Sequence, residues 1–502
     1  MEVRMRNLLA RKPDTVVLLL AAYFVISFIV RLLVPNGLRV DESQQAFFSQ
    51  WLVAGYDTQP PLYNWFQAIV VSAFGLSVVT IAAAKNLILF FLFLSYYKLA
   101  KLVLDDRLFA AIATLSLFAI PQVFWQAQRD LTHTVAQMLM INLLLYSIIK
   151  TLKAPSLLSY VMIGVTLGLG MLTKYNFTLV VLAALVAVFL HPVGLKRLLD
   201  WRFLLSLAIA VLIFLPHGLW LIDNLSLAAT RTLHTMAQEA PTGAFAKLIK
   251  GPTEFFGQVL VILAPLVAVY AIIFGKKFLR SLRPTTVWAH FFDTIFLVIG
   301  LQVLLLVFAI GITSMRDRWV LPLLFLMPIA FCLKMQARGI RAEDFAKRFF
   351  IVPLAVMIVV PSLVLVRAHA PTLFGRPEAY NAPYEEFVGK IVAEEGKRPG
   401  LVVTDGWLAS GNLHLQLPDV PTLCTFFGNL LVDYEWTADR PILAVWLPSR
   451  ETTTPPPELA EWIQQNLGPQ YGTVTVKNTS IGYIGGRPQD QRLFGYAWIY
   501  PH

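Results

Sequence analysis

Long apolar runs recur through most of the 502-residue chain, and no other feature narrows its fold as far. A helix needs about 20 consecutive apolar residues to cross roughly 30 Å of hydrocarbon, and several windows exceed that length. About eleven such runs fall at 14–35, 77–99, 107–126, 134–150, 156–173, 176–192, 203–221, 254–275, 288–312, 319–335 and 349–367. Lipid offers the backbone no hydrogen bonds, so each run must satisfy its own and is expected as a helix. Only 14% of the residues are charged, against about 25% in soluble domains. The expected fold is therefore a polytopic α-helical membrane protein.

The basic residues sit in short loops: "KLAKLVLDDR", "KTLK" (150–153), "GLKRLLDWR", "GKKFLRSLRP" and "KMQARGIRAEDFAKR". Excess Lys and Arg marks the cytoplasmic side. With the N-terminus inside and eleven crossings, every one of these loops falls there. The net charge of +11 thus reads as a topology signal, with no nucleic-acid partner implied. Residues 62–76, "LYNWFQAIVVSAFGL", would break the alternation and are expected as an interfacial or re-entrant helix. The opening "MEVRMRNLLARKPDT" leads into a span too long for a signal peptide's apolar core, so the first helix is expected to stay as an anchor.

From about residue 368 the composition becomes soluble-like, which divides the chain into a membrane domain, 1–367, and a C-terminal domain, 368–502. "GLVVTDGWLASG", "PILAVWLPS", "GTVTVKN" and "LFGYAWIYP" read as strands between Pro/Gly turns, in a small α/β domain, and "TTTPPP" (452–457) as a linker within it. An odd number of spans places this domain outside the cytoplasm. Cys332 and Cys424 are too few for a disulfide framework or a CxxC metal site, and both read as structural.

Ionisable groups beside a bilayer are expensive and mark pathways or sites. Asp41, Glu42, Arg129, Asp130, His133, Lys174, Arg316, Asp317 and Arg318 all fall at span ends on the face opposite the basic loops. Tyr63, Trp65, Trp125, Tyr175 and Trp319 share that face. Carboxylates beside cations suit a reaction in which a base works next to a phosphate, since Arg forks and Lys charges are phosphate partners. Ordinary alternatives stand beside each assignment. Lys174 can snorkel, "RDLTH" can be a polar turn, "RDRW" can be a helix-end cluster with a belt Trp, and Asp41 and Glu42 can be loop charges. Asp41, Glu42 and His133 are the candidates for a divalent metal, though they mix hard and soft ligands at loose spacing. No GxxxxGK[ST] occurs, so no nucleotide phosphate loop is expected.

Taken in order, the first-loop acid, "QPPLYNW", "RDLTHTVAQMLMINLLLYSI", "GLGMLTKYNFTLV" and "RDRWVLPLLFLMP" resemble the GT-C glycosyltransferase superfamily. The likeness covers about 14–335 and is nearest to the protein-mannosyltransferase-like branch. That branch includes the lipid A aminoarabinose transferase and the rhizobial galacturonosyltransferases of lipopolysaccharide. The resemblance implies transfer of a sugar from a polyprenyl-phosphate carrier to a lipid or glycolipid acceptor, such as lipid A or the lipopolysaccharide core. It also implies a multi-pass protein of the bacterial inner membrane, with active site and C-terminal domain in the periplasm. By the same likeness Asp41 stands where the family has its catalytic base, and Glu42 is its neighbour in acceptor or metal binding. Lys174 in "LTKY" and Arg318 in "RWVLP" stand near the carrier phosphate, with Arg316 beside them. Gln59, Tyr63, Arg129, Asp130, His133 and Tyr175 are the expected substrate-pocket residues.

Two positions depart from the branch. Gln59 stands where the aminoarabinose enzymes carry Lys in "KPPLYYW", and His133 where they carry Asp. Both departures point to another sugar or acceptor. If that sugar is acidic, as galacturonate is, extra Arg near the site is expected. A transporter or flippase of a lipid-linked glycan is the alternative, and a non-catalytic envelope scaffold a third. A transporter would show mid-span charges and repeated halves, whereas the charges here gather at span ends.

Overall fold

The computed structural model describes residues 14–228, 244–283, 286–448, 454–468 and 474–502. Residues 1–13, 229–243, 284–285, 449–453 and 469–473, which take in the start of "TTTPPP" and the start of "GTVTVKN", lie outside the described residues. Eight described helices are long and apolar enough to cross a membrane. They are Thr15–Leu33, Val78–Val103, Thr132–Lys153, Trp201–Asp223, Ile249–Phe274, Val287–Gly311, Asp317–Ala337 and Glu343–His369. The run at 107–126 is a broken span, Arg107–Ala119 and Gln122–Arg129, bent by 74°. Pro121 stands at the break, where its missing N–H and ring clash end the ladder. The remaining two expected runs form the shorter apolar helices Leu157–Met171 and Phe177–Phe189. Every run read from the sequence is therefore helical. The 62–76 stretch becomes Leu62–Phe74; at 13 residues and 1.5 Å per residue, it extends only about 20 Å.

Contacts divide the chain into two units, each assembled from three stretches. The first comprises Met1–Val25, Asp57–Tyr63 and Asn86–Val360. Its helices pack through small residues and buried polar bonds, as membrane helices do. Gly164 and Gly168, one turn apart, face helix Trp201–Asp223. A Cβ at Gly164 would lie 2.6 Å from the Ser206 carbonyl oxygen, and one at Gly168 2.9 Å from that of Ala210. Asn142 donates to the Leu92 carbonyl and to Ser95 Oγ, both at 3.1 Å, and Lys334 pairs with Asp293 at 2.6 Å. The lipid-facing sides stay apolar and exposed, as at Leu204, Leu212 and Ile222.

The second unit comprises Ile26–Tyr56, Asn64–Lys85 and Pro361–His502. Its centre is a five-stranded sheet of order β2-β1-β3-β5-β4, with β1 Leu401–Thr404, β2 Thr422–Cys424, β3 Ile442–Trp446, β4 Thr475–Gly482 and β5 Gln491–Ile499. β1 runs parallel to β2 and β3, while β5 is antiparallel to both β3 and β4. β1 and β3 are buried along their whole length, because helices cover both faces. Phe387, Ile391 and Leu413 lie against Val402, Leu443 and Phe494 on one face. Leu459, Ile463 and Leu467 lie against Leu401, Val403 and Ala444 on the other.

One strand assignment is corrected here. "GLVVTDGWLASG" is a strand only to Thr404, and helix Trp407–Gln416 follows. Gly406 holds the extended cap position, after which Ala409 and Leu413, four residues apart, enter the core on one helix face. Cys332 and Cys424 are buried free thiols.

Candidate functional site

Within the first unit, three separate loops converge on Lys174. Helix Leu157–Met171 ends before "LTKYN", and Leu172 then accepts a hydrogen bond from the Leu62 amide at 2.9 Å. This ties the "QPPLY" box to the Lys174 turn. Lys174 is 8% exposed. Its ammonium donates to Thr134 Oγ1 at 3.1 Å and to the Arg318 carbonyl at 3.3 Å. Asn176 donates to the Trp319 carbonyl at 3.0 Å and accepts from Gln137 at 2.9 Å. The "RDLTH", "LTKY" and "RDRW" motifs are thus brought together by side-chain amides and an ammonium.

The remaining expected residues of this unit lie along the same loops. Tyr63 is buried, its ring 6.0 Å from that of His133. Gln59 has a buried Oε1 with no hydrogen-bond partner among the described residues. Arg129 lies 4.6 Å over the Trp125 ring, and Arg316 5.9 Å from the Trp319 ring. Burial and the nearby Arg318 charge both lower the Arg316 pKa, so two guanidiniums stand close enough to repel. Asp317 accepts from Gln126 at 2.9 Å and from the Arg318 amide at 2.7 Å, which holds the Arg-Asp-Arg run at the start of its helix. Burial, helped by the Asp57 carboxylate, raises the Tyr175 hydroxyl to about 12, so it stays protonated at neutral pH.

The backbone in this region is irregular. π-helical turns at Gln122–Gln126 and Val307–Gly311 lead toward the Arg129 and Arg316 segments. Leu131, between Asp130 and His133, has a φ of +67°. A left-handed leucine costs about 1–2 kcal/mol, and such strain and π-bulges gather at functional sites.

The carboxylate pair belongs to the second unit. Asp41 and Glu42 lie in the first turn of helix Val40–Phe48. Consecutive helix positions point about 100° apart, and the two side chains part accordingly. Glu42 is 3% exposed and takes Arg31 Nε at 2.9 Å, Arg31 Nη2 at 3.2 Å and the Arg39 amide at 3.2 Å. Arg31 also donates to the Gly37 carbonyl at 3.1 Å and lies 4.6 Å over the Tyr380 ring. Asp41 is half-buried. Among the described residues no group of three or more His, Cys, Asp or Glu side chains is placed to hold a metal ion. The trio Asp41, Glu42 and His133 therefore forms no metal centre in this structure, and the Glu42 oxygens are already taken by Arg31.

Comparison with known proteins decides the family. The dolichyl-phosphate-mannose-protein mannosyltransferase model matches residues 58–220. The chain is 39% identical over 482 residues to the lipopolysaccharide core galacturonosyltransferase RgtB of Rhizobium johnstonii, covering 96% of both chains. It is 34% identical to RgtA of the same organism over 492 residues, covering 98% of both. The chain belongs to the family of these glycosyltransferases. This glycosyltransferase also shares the fold of ArnT from Cupriavidus metallidurans, in the structure bound to undecaprenyl phosphate. There the TM-score is 0.60 at 14% identity, over 96% of this chain and 98% of that one. The protein is thus a multi-pass membrane enzyme of the GT-C type, and the transporter alternative is not favoured.

Several polar residues of the glycosyltransferase escaped the sequence reading. Gln126, Thr134, Gln137 and Asn176 are uncharged and lie near apolar runs, so no charge flagged them. His217 is fully buried within "FLPHGLW", its Nε2 3.3 Å from the Tyr175 hydroxyl and its ring stacked on Trp220. A histidine inside an apolar run was the available signal. Arg31, inside the first span, gave the same one.

Proposed function

We propose that this enzyme transfers a galacturonosyl residue from a polyprenyl-phosphate carrier to the lipopolysaccharide core at the periplasmic face of the bacterial inner membrane. The observation that carries the proposal is the end-to-end likeness to the two Rhizobium core galacturonosyltransferases, at 39% and 34% identity. The fold shared with ArnT bound to undecaprenyl phosphate supports a lipid-phosphate donor. The basic loops support the orientation. An acidic sugar also accounts for two arginines, Arg316 and Arg318, close enough to repel.

In this mechanism Asp41 takes the proton of the acceptor hydroxyl as its oxygen attacks C1 of the sugar. The bond from C1 to the phosphate oxygen breaks, and its electron pair leaves with polyprenyl phosphate. Lys174 and Arg318 stabilise that leaving charge, and Arg316 holds the sugar carboxylate. Tyr63, Tyr175, Gln59, Arg129, Asp130 and His133 are the proposed substrate contacts. A phosphate leaves readily, so no strong general acid is required. Holding donor and acceptor together supplies much of the rate. Glu42 positions its helix rather than reacting.

The test uses the purified enzyme in vesicles with polyprenyl-phosphate galacturonate and a core oligosaccharide acceptor. The product should gain one hexuronate by mass spectrometry, and Asp41→Asn should lower the rate about 10²- to 10⁴-fold, as loss of a general base does. Transfer of a neutral or amino sugar in preference to galacturonate overturns the substrate, and a wild-type rate in Asp41→Asn overturns the base.

A further inference from the structure

The second unit joins the first loop to the C-terminal domain through paired amide clamps at both ends of the Asp41 helix. At the leading end Leu38 is buried, and the Asn412 side chain satisfies both of its backbone groups. Asn412 Oδ1 accepts the Leu38 amide at 2.7 Å, and its Nδ2 donates to the Leu38 carbonyl at 3.3 Å. The same Nδ2 donates to Leu408 O at 2.8 Å, which fixes the clamp within helix Trp407–Gln416. At the trailing end the arrangement is reversed. Gln50, from the loop, accepts the Thr422 amide at 2.9 Å and donates to the Thr422 carbonyl at 3.1 Å. Thr422 opens β2, the edge strand of the sheet. Gln50 thus closes the open edge as a further strand would.

Between the clamps the two helices touch backbone to backbone. A Cβ at Gly411 would lie 1.8 Å from the Ser43 carbonyl oxygen, so only glycine admits this approach. Ser43 Oγ lies 3.0 Å and 2.9 Å from the Trp407 and Leu408 carbonyls. Phe47 and Phe48 meet the Phe427 ring at 5.6 and 4.8 Å. Gln45, one turn after Asp41, donates to Asn64 Oδ1 at 2.9 Å. These contacts hold the helix at both ends and along its length.

We propose that the C-terminal domain serves as the positioning frame of the catalytic loop, with Asn412 and Gly411 as positioning residues that act through Asp41. The proposal rests on Asp41 as base and assigns the domain a part in catalysis rather than in substrate capture. Asn412 does not react; it fixes where the base stands. A shift of about 1 Å in a catalytic group lowers rate by up to about 10²-fold.

The experiment compares the full-length enzyme with Asn412→Leu and Gly411→Ala, each alone and combined with Asp41→Asn. Hydrogen exchange of residues 38–50 is read alongside kcat and the donor KM. The expected result is faster exchange in 38–50 and kcat lowered about 10- to 100-fold, with the donor KM within threefold. On the residual rate of Asp41→Asn, Asn412→Leu should add little. If Asn412→Leu does not fold, Gln50→Leu, which opens the other clamp, is read in its place. An unchanged kcat with Asp41→Asn inactive overturns the positioning role alone. An equal loss in the Asp41→Asn background also overturns it, since the domain then acts elsewhere. An active Asp41→Asn overturns the base assignment first and this inference with it.

Discussion

Glu42 offers the sharpest quantitative test, because its burial fixes what its removal must cost. Glu42→Ala deletes the partner of a guanidinium that is itself 7% exposed. Breaking a buried ion pair from one side costs about 3–5 kcal/mol. Arg31 keeps the Gly37 and Pro35 carbonyls at 3.1 and 3.3 Å and its place over the Tyr380 ring. These contacts set the expected loss near the lower bound, about 3 kcal/mol. Each 1.4 kcal/mol is a factor of ten, so opening of the loop should rise about 100-fold. Amide exchange of residues 36–48 in the membrane-reconstituted enzyme measures this directly. Arg31→Leu combined with Glu42→Leu should recover most of the protection, since an apolar pair replaces a buried ion pair at little cost. Transfer should recover with it. If protection returns and transfer does not, Glu42 takes part in the chemistry. If Glu42→Ala leaves protection unchanged, the ion pair contributes nothing to the loop.

Two further expectations concern other regions. Lys174→Met should lower kcat/KM for the donor about 10- to 100-fold, as loss of a charged hydrogen bond of about 1.5–3 kcal/mol does; a change under twofold in steady-state assays returns Lys174 to a snorkelling role. His414 in the C-terminal domain is lowered to about 4, chiefly by burial and against the Val420 carbonyl it faces. Its stabilisation is present above the ordinary histidine pKa of about 6.5 and is lost as pH falls toward 4, because the unfolded chain binds the proton first. Unfolding of the full chain between pH 7 and pH 4.5 should show stability falling with acid, and His414→Gln should flatten that slope. An unchanged slope refutes the assignment.

The span pattern was legible because hydrocarbon imposes one length and one composition on every crossing. The bend at Pro121 was not, since proline within an apolar run kinks some helices and is tolerated in others. Helix Trp201–Asp223, for example, carries Pro216 inside it. Charged site residues stood out for the same reason the spans did: they interrupt apolar sequence. Lys174 and Arg318, 144 positions apart, meet in the structure, and each was visible on its own. What stayed hidden were uncharged partners. Gln137 and Asn176 read as tolerable polar residues in helices, and only their mutual bond at 2.9 Å gives them a place. The helix at 407–416 reads as a continuation of the strand because apolar Trp407 and Leu408 follow Val402 and Val403 after only Thr404, Asp405 and Gly406, and periodicity cannot separate short buried strands from helices.

Adjacent carboxylates in sequence invite a reading as a catalytic dyad, and the structure shows why adjacency is poor evidence for one. Helical geometry turns neighbours about 100° apart, so Asp41 and Glu42 cannot share a face once the loop is helical. A dyad needs spacing of three or four residues on a helix. Burial then assigns the roles. The buried member requires a cation of its own, and Arg31 supplies it from inside the first apolar run, where the charge would otherwise be costly. That pairing consumes both Glu42 oxygens and ties the end of the span to the start of the helix. The same argument explains why a lone arginine is retained in a 20-residue apolar helix. Arg31 is the counterpart of a carboxylate eleven residues on, and each is affordable only with the other. Of the two acids, Glu42 is the buried one and Asp41 the half-buried one, and it is Asp41 to which the proposed mechanism gives the proton transfer.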